Sequence, residues 1–396
     1  MEPTSSKDLI TLDQKHYVPT FKRYPLALKK GQGCKVWNME GEEYLDALAG
    51  IAVNNLGHCH PAVVKAIQEQ AQTLIHISNF YVSEPQVRLS QKLTSLSGLE
   101  RVFFTNSGAE SVEGAMKFAR KYAHSKGKGG KIISMKNSFH GRTLATIATG
   151  KKAYQQGFDP IPKGFISVPL NDLDLLEQEM TDDTAAVIVE PIQGEGGIHP
   201  ADGKYIEQVR KMCDDKGVLL IFDEIQCGMG RTGKLFAKEH YSVEPDIVTL
   251  AKGLGAGVPI GAILLNEKVS QTVDFGDHGT TFGGNPLVCA ASLAALEVLS
   301  DPEMLADTLQ KGNEIMHAVN QWEGMGVKEV RGIGLMIGIE FDFETKPLAL
   351  EMLHRKVLSN ATSGNVLRLV PPLIINRKEI QHLLDTIQAS VKAIQS

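Results

Sequence analysis

An α/β fold built on a parallel sheet is what this sequence predicts, and three observations predict it. Short runs of Val, Ile, Leu and Phe without alternation recur along the chain, VFFT, AAVIV, VLLIF and DIVTL among them. Such runs belong to strands buried on both faces. Each is followed by polar residues and glycine, the composition expected where ligands gather at the carboxyl ends of strands in open α/β sheets. Finally, 396 residues exceed what one hydrophobic core usually serves, so two domains are expected.

The stretch Val218–Gly253 carries two of these runs and organises the rest. VLLIF delivers Asp223-Glu224-Ile225-Gln226, and DIVTL delivers Lys252. An amine and a carboxylate at neighbouring strand ends suit a Schiff-base lysine beside an acid that holds a cofactor's ring nitrogen protonated, as pyridoxal phosphate requires. The same two residues would equally make an ion pair at the rim of a sheet.

Composition excludes several other classes. A net charge of -5 and the absence of a Lys/Arg block argue against nucleic acid. No apolar run approaches the ~20 residues of a membrane span. The N-terminal MEPTSSKDLITLDQKHY has neither a secretory core nor transit-peptide character, and Cys34, Cys59, Cys213, Cys227 and Cys289 form no CxxC pair. Both features fit a reducing, cytoplasmic location.

In chain order, residues 1–20 are polar and expected to be partly mobile. CKVWN and EEYLDAL read as strands joined by a turn at Gly41, and Pro61 opens a helix. His58 and His60 flank Cys59, but no second ligand cluster stands at zinc spacing, and no metal is expected. VFFT runs into Asn106-Ser107-Gly108-Ala109 at a helix start, an arrangement suited to cradling a phosphate or simply to capping a helix. Phe139-His140-Gly141-Arg142 follows another strand-like run, offering a ring to stack on a flat cofactor and a guanidinium for a carboxylate. Glu190, Gln193 and Glu195 emerge after AAVIV. GLGAGVPIGA lacks the order of a dinucleotide loop. Thr280 and Thr281 sit in a Gly-rich loop that could supply further phosphate contacts. From about Leu287, a long apolar helix, the strands RGIGLMIGIEF and NVLRLVPPLII, and a closing helix suggest a smaller α/β domain. Arg368 stands alone in one of those strands, where a buried guanidinium needs a carboxylate.

Together these segments resemble the class III, pyridoxal 5'-phosphate-dependent aminotransferases of fold type I, most closely the acetylornithine and ornithine aminotransferase group. SGAES, FHGRT, EPIQGEGG, DEIQCGMGRTG, LAKGLGAGVPIGA, HGTTFGGNP and LRLVPPL stand in that family's order from about Phe21 to the C-terminus. The resemblance implies a large domain, residues 55–287, with a mostly parallel seven-stranded sheet. It implies a smaller α/β domain formed by both chain ends, residues 1–54 and 288–396. It assigns Lys252 and Asp223 to catalysis. Ser107, Gly108 and Ala109 would hold the cofactor phosphate, Phe139 and Ile225 would cover the two ring faces, and His140 and Gln226 would complete the cofactor site. Thr281 would reach the phosphate of a neighbouring subunit, which implies a homodimer. Arg142 would bind the α-carboxylate of the amino donor, and Arg368 that of 2-oxoglutarate. Glu195 would neutralise Arg368 in one half-reaction and swing aside in the other.

The implied reaction moves the δ-amino group of N2-acetylornithine to 2-oxoglutarate by a ping-pong route. Gly50 and Ile51, in AGIAVN, stand where ornithine-specific members carry a tyrosine, and Phe21 stands loosely at a second such place. Losing hydroxyls that meet a free α-amino group favours an acylated donor. Ornithine, succinylornithine, N-succinyl-diaminopimelate and 4-aminobutyrate remain alternatives on the same scaffold.

Overall fold

The computed structural model describes residues 5–395. A seven-stranded sheet runs in the spatial order Arg101–Thr105, Gly261–Leu265, Ile247–Leu250, Leu219–Asp223, Thr184–Val189, Lys131–Met135, Phe165–Val168. Only Gly261–Leu265 runs antiparallel to its neighbours, so the sheet is mostly parallel as expected. The four strands Thr184–Val189, Leu219–Asp223, Ile247–Leu250 and Gly261–Leu265 are buried along their whole length. That burial explains their unbroken apolar character: helices cover both faces, and no position alternates toward water.

Helix Gly108–Ser125 lies against one face, with Val112, Ala115, Met116 and Ala119 fully inside. Helix Gly203–Lys216 begins at an Asp202 cap and ends at Gly217, whose left-handed φ of 59° closes it. It contributes Tyr205, Ile206, Val209 and Cys213 to the larger core. Asp223 pairs with Thr249 across the sheet, so the polar residues after these strands open on one edge.

The chain ends meet. Strands Leu28–Gln32, Lys35–Asn38 and Glu43–Asp46 form a sheet completed by Val357–Leu358, which runs parallel to Glu43–Asp46. A further four-stranded sheet joins Val327–Ile333, Met336–Phe341, Val366–Leu369 and Asn360–Thr362. The closing helix Arg377–Gln395 buries Ile380, Leu383, Leu384, Ile387 and Val391, the stripe expected from the sequence.

Two features go beyond the expectations. Residues Ser6–His16 form a helix capped by Ser5, whose side chain accepts from the Asp8 N–H, in a stretch for which no element was expected. The helix buries no residue, so no apolar stripe announced it. RGIGLMIGIEF is a hairpin of two strands, because Gly334 adopts φ of 58° and turns the chain between Ile333 and Met336. The apolar helix Pro286–Leu299 packs on Pro61–Thr73 and Glu84–Ser97, beside the large sheet. Among the described residues, no helix is long and apolar enough to cross a membrane.

Candidate active site

A cavity of about 440 Å³ opens at the carboxyl edge of the large sheet. Ser107, Gly108, Ala109, Phe139, His140, Arg142, Asp223, Ile225, Gln226 and Lys252 all line it, although they come from four separate stretches of chain. Parallel topology brings them there, since every parallel strand delivers its following loop to the same edge.

Asp223, the last residue of its strand, is 3 % exposed and saturated with donors. One carboxylate oxygen lies 2.6 Å from His140 Nδ1, and the other accepts from the Ile225 N–H and Thr249 Oγ1, each at 3.1 Å. Burial opposes a charge on His140, but the hydrogen bond and charge of Asp223, aided by Glu190, win and raise the imidazole above its ordinary value. Nε2 of His140 is buried and without a partner among the described residues. Glu190 accepts from the Phe139 N–H at 3.0 Å and the Gly194 N–H at 3.3 Å. Burial nevertheless pushes its carboxyl up to about 7, with the neighbouring Asp223 adding to the rise.

Lys252 does not pair with Asp223, and the rim ion pair left open by the sequence is absent among the described residues. Its backbone has φ of 45°, a left-handed conformation costly for a side chain of this size. Burial lowers the ammonium below its ordinary value; Glu195 opposes the shift and Arg368 adds to it. A strained amine with a lowered pKa, facing a cavity, is a candidate for chemistry.

Helix Gly108–Ser125 begins at this cavity. Ser107 Oγ accepts from the Glu110 N–H at 3.2 Å, which leaves its own proton available. The N–H groups of Gly108 and Ala109 lie in the unpaired first turn. A Cβ on Gly108 would stand 2.9 Å from the Ile225 side chain, so glycine is what lets the backbone and Ile225 approach.

Arg368 is fully buried and paired with the carboxylate of Glu195. It also donates to Asn360 Oδ1 at 3.0 Å and to Gln226 Oε1 at 3.3 Å, which ties it to the cavity wall. Against the cost of burial, the Arg368 charge holds Glu195 below the usual carboxylate range. A Cβ on Gly194 would fall 2.2 Å from Gln226 Oε1, so a larger residue there would displace the Gln226 amide from Arg368. Arg142, by contrast, is exposed and has its guanidinium carbon 3.4 Å from the centroid of the Tyr154 ring.

Thr281 is exposed and does not line the cavity of its own chain, while Thr280 bonds to Asn106 at 3.2 Å. Phe21 lines a separate cavity with Tyr24 and Leu9, and so is not beside this site. Sequence reading passed over Thr249 and Tyr154 and gave Glu190 no role. Glu190 carried a signal, a carboxylate directly after a fully buried strand. Tyr154 carried none.

A family model described as aminotransferase class III matches residues 17–391. An acetylornithine aminotransferase of Methanocaldococcus jannaschii is 53% identical, over 97% of this chain and 98% of its own. The solved acetylornithine aminotransferase of Elizabethkingia anophelis is 34% identical, with a TM-score of 0.87 over 99% of this chain and 100% of that one. An ornithine aminotransferase of Toxoplasma gondii, with PLP partly occupying its active site, is 34% identical. Its TM-score is 0.95, over 100% of this chain and 96% of that one.

Proposed function

This chain belongs to the class III aminotransferases, and from that premise we propose that it moves the δ-amino group of N2-acetylornithine to 2-oxoglutarate, giving N-acetylglutamate 5-semialdehyde and glutamate. The observation that carries the reading is the pair of unlike arginines: Arg142 stands open at the cavity, whereas Arg368 is buried and masked by Glu195. Two oxidation partners that each present a carboxylate, used in turn, call for one permanent and one switchable cation. The acyl group of the donor is supported by the relative from Methanocaldococcus and by Gly50 and Ile51, which offer no hydroxyl to a free α-amine.

The residues present fit pyridoxal 5'-phosphate. A buried carboxylate, an unpaired strained lysine and an open helix start meet in one cavity. When bound, that cofactor supplies an electron-withdrawing ring able to accept the charge left when a proton leaves the carbon bearing the amine. Asp223, held in place by His140, accepts a hydrogen bond from the ring nitrogen. Ser107 and the N–H groups of Gly108 and Ala109 hold the phosphate, a role helix starts fill with backbone dipoles. Phe139 and Ile225 enclose the ring, and Gln226 meets its hydroxyl. Lys252 anchors the cofactor and, with its pKa lowered by burial, takes and returns the migrating proton. Arg142 fixes the donor carboxylate. Glu195 neutralises Arg368 while the donor is bound and leaves when 2-oxoglutarate needs that guanidinium, because a buried unpaired cation is costly.

We propose further that two copies assemble, with Thr281 of each serving the phosphate site of the other. Phe80, Val82 and Phe282, exposed at 93%, 84% and 60%, support a covered face there. The division into residues 1–54 with 288–396 and residues 55–287 is likewise our reading, supported by the strand pairing between the two chain ends. Five unpaired cysteines support a reducing, cytoplasmic location.

The test is a set of single-turnover reactions with N-acetylornithine, ornithine, N-succinylornithine, N-succinyl-diaminopimelate and 4-aminobutyrate, following the cofactor's visible absorbance. Fastest conversion by N-acetylornithine is expected. Faster conversion by free ornithine or 4-aminobutyrate would overturn the substrate and leave the class intact.

A further inference from the structure

The turn Lys151–Tyr154 belongs to none of the motifs above, yet it touches both ends of the substrate site. At one end the Tyr154 ring lies under the Arg142 guanidinium, with Phe139 set edge-on at 5.9 Å between ring centroids. Arg142 makes no ion pair among the described residues, so the aromatic face is what directs its N–H edge. At the other end Lys151 Nζ donates to the backbone carbonyl of Glu195 at 3.0 Å. Thr362 Oγ1 and Ser363 Oγ donate to that same oxygen at 3.2 and 3.3 Å. Three donors thus pin the Glu195 main chain, and only its side chain is left to approach or leave Arg368.

We propose that this turn sets substrate discrimination, with Tyr154 the positioning residue for Arg142 and Lys151 the positioning residue for Glu195. The inference rests on the roles given to Arg142 and Glu195 above. Its physical basis is geometric. A guanidinium stacked on a ring keeps one plane and offers its edge to a planar carboxylate, whereas an unsupported one samples many. A charge-assisted bond to a carbonyl restrains a loop more firmly than a neutral one. Because both contacts come from four consecutive residues, a change at one end of the substrate site is felt at the other.

The experiment compares two donors on the holoenzyme, N-acetylornithine and its decarboxylated counterpart N-acetylputrescine. Tyr154→Leu is expected to raise KM for N-acetylornithine about tenfold with little change in kcat, and to leave N-acetylputrescine unaffected. Tyr154→Phe, which keeps the ring, restores wild-type values. Calorimetric binding of N-acetylnorvaline, which has the carboxylate but no amine to transfer, weakens by the same factor in Tyr154→Leu. Lys151→Met is expected to bring on inhibition by excess donor at about tenfold lower concentration, since Arg368 is less well masked, while KM for 2-oxoglutarate does not rise. Lys151→Arg restores the wild-type response. Equal losses with both donors in Tyr154→Leu, or equal slowing of both half-reactions in Lys151→Met, overturn the proposal. If wild-type enzyme ignores N-acetylornithine but Tyr154→Leu weakens whichever carboxylate donor it does accept, the substrate assignment falls and the role of the turn stands.

Discussion

Burial pushes the Glu190 carboxyl up to about 7 from 4.5, and a pH dependence follows. The folded protein keeps this proton to higher pH than the unfolded chain does, so its contribution to stability is complete below the unfolded value. It is lost as pH rises toward 7, and the total is about 3 kcal/mol at 1.4 kcal/mol per pKa unit. Glu190→Gln, which cannot ionise, is expected to lack this loss. Its melting temperature relative to wild type should climb between pH 4.5 and 7 and stay level above; a constant difference across that range would show that Glu190 is ionised throughout. Residues like this mark the limit of sequence reading. Asp223, Lys252, Arg142 and Arg368 were each legible because a charged residue stood out against a strand or glycine turn. The pressure on Glu190 comes from burial and from Asp223, which His140 only partly offsets, and all three exist only in the folded chain.

At the scale of the element, helix Gly108–Ser125 joins stability to function through its first residue. Ser107 caps the helix and also lines the cavity. Ser107→Ala is expected to cost about 1 kcal/mol of stability in cofactor-free protein through the lost cap. It should also weaken cofactor retention about tenfold, read by dialysis and absorbance, through one lost charge-assisted bond to phosphate. A stability loss without weakened retention would reduce Ser107 to a cap. Strands and helices of this kind were mostly legible: unbroken apolar runs gave the buried strands, Pro61 gave a helix start, and a 3.6-residue stripe gave the last helix. Elements without an apolar stripe were not. The surface helix Ser6–His16 has no buried residue, and the hairpin around Gly334 hid inside one long apolar run.

Across the whole molecule, the proposed pairing of two copies makes a sharp prediction. Lys252→Ala protein is expected to be inactive, and Thr281→Ala protein to hold the cofactor weakly. Mixing the two under conditions that exchange subunits should restore one intact site per hybrid dimer, with Lys252 from one copy and Thr281 from the other. No gain in activity or cofactor retention would show that Thr281 does not act across a dimer. The sequence by itself determined the α/β class, the strands that form the large sheet and most residues that line the candidate site, because strand periodicity, turn chemistry and helix caps are local and written in neighbouring residues. It did not determine which of those residues meet. His140 reaches Asp223 across 83 residues, Glu195 reaches Arg368 across 173, and Tyr154 slides beneath Arg142 from a turn with no pattern of its own. Those meetings depend on strand order and loop closure, long-range properties set by burying the whole core at once, and only the tertiary structure decided them.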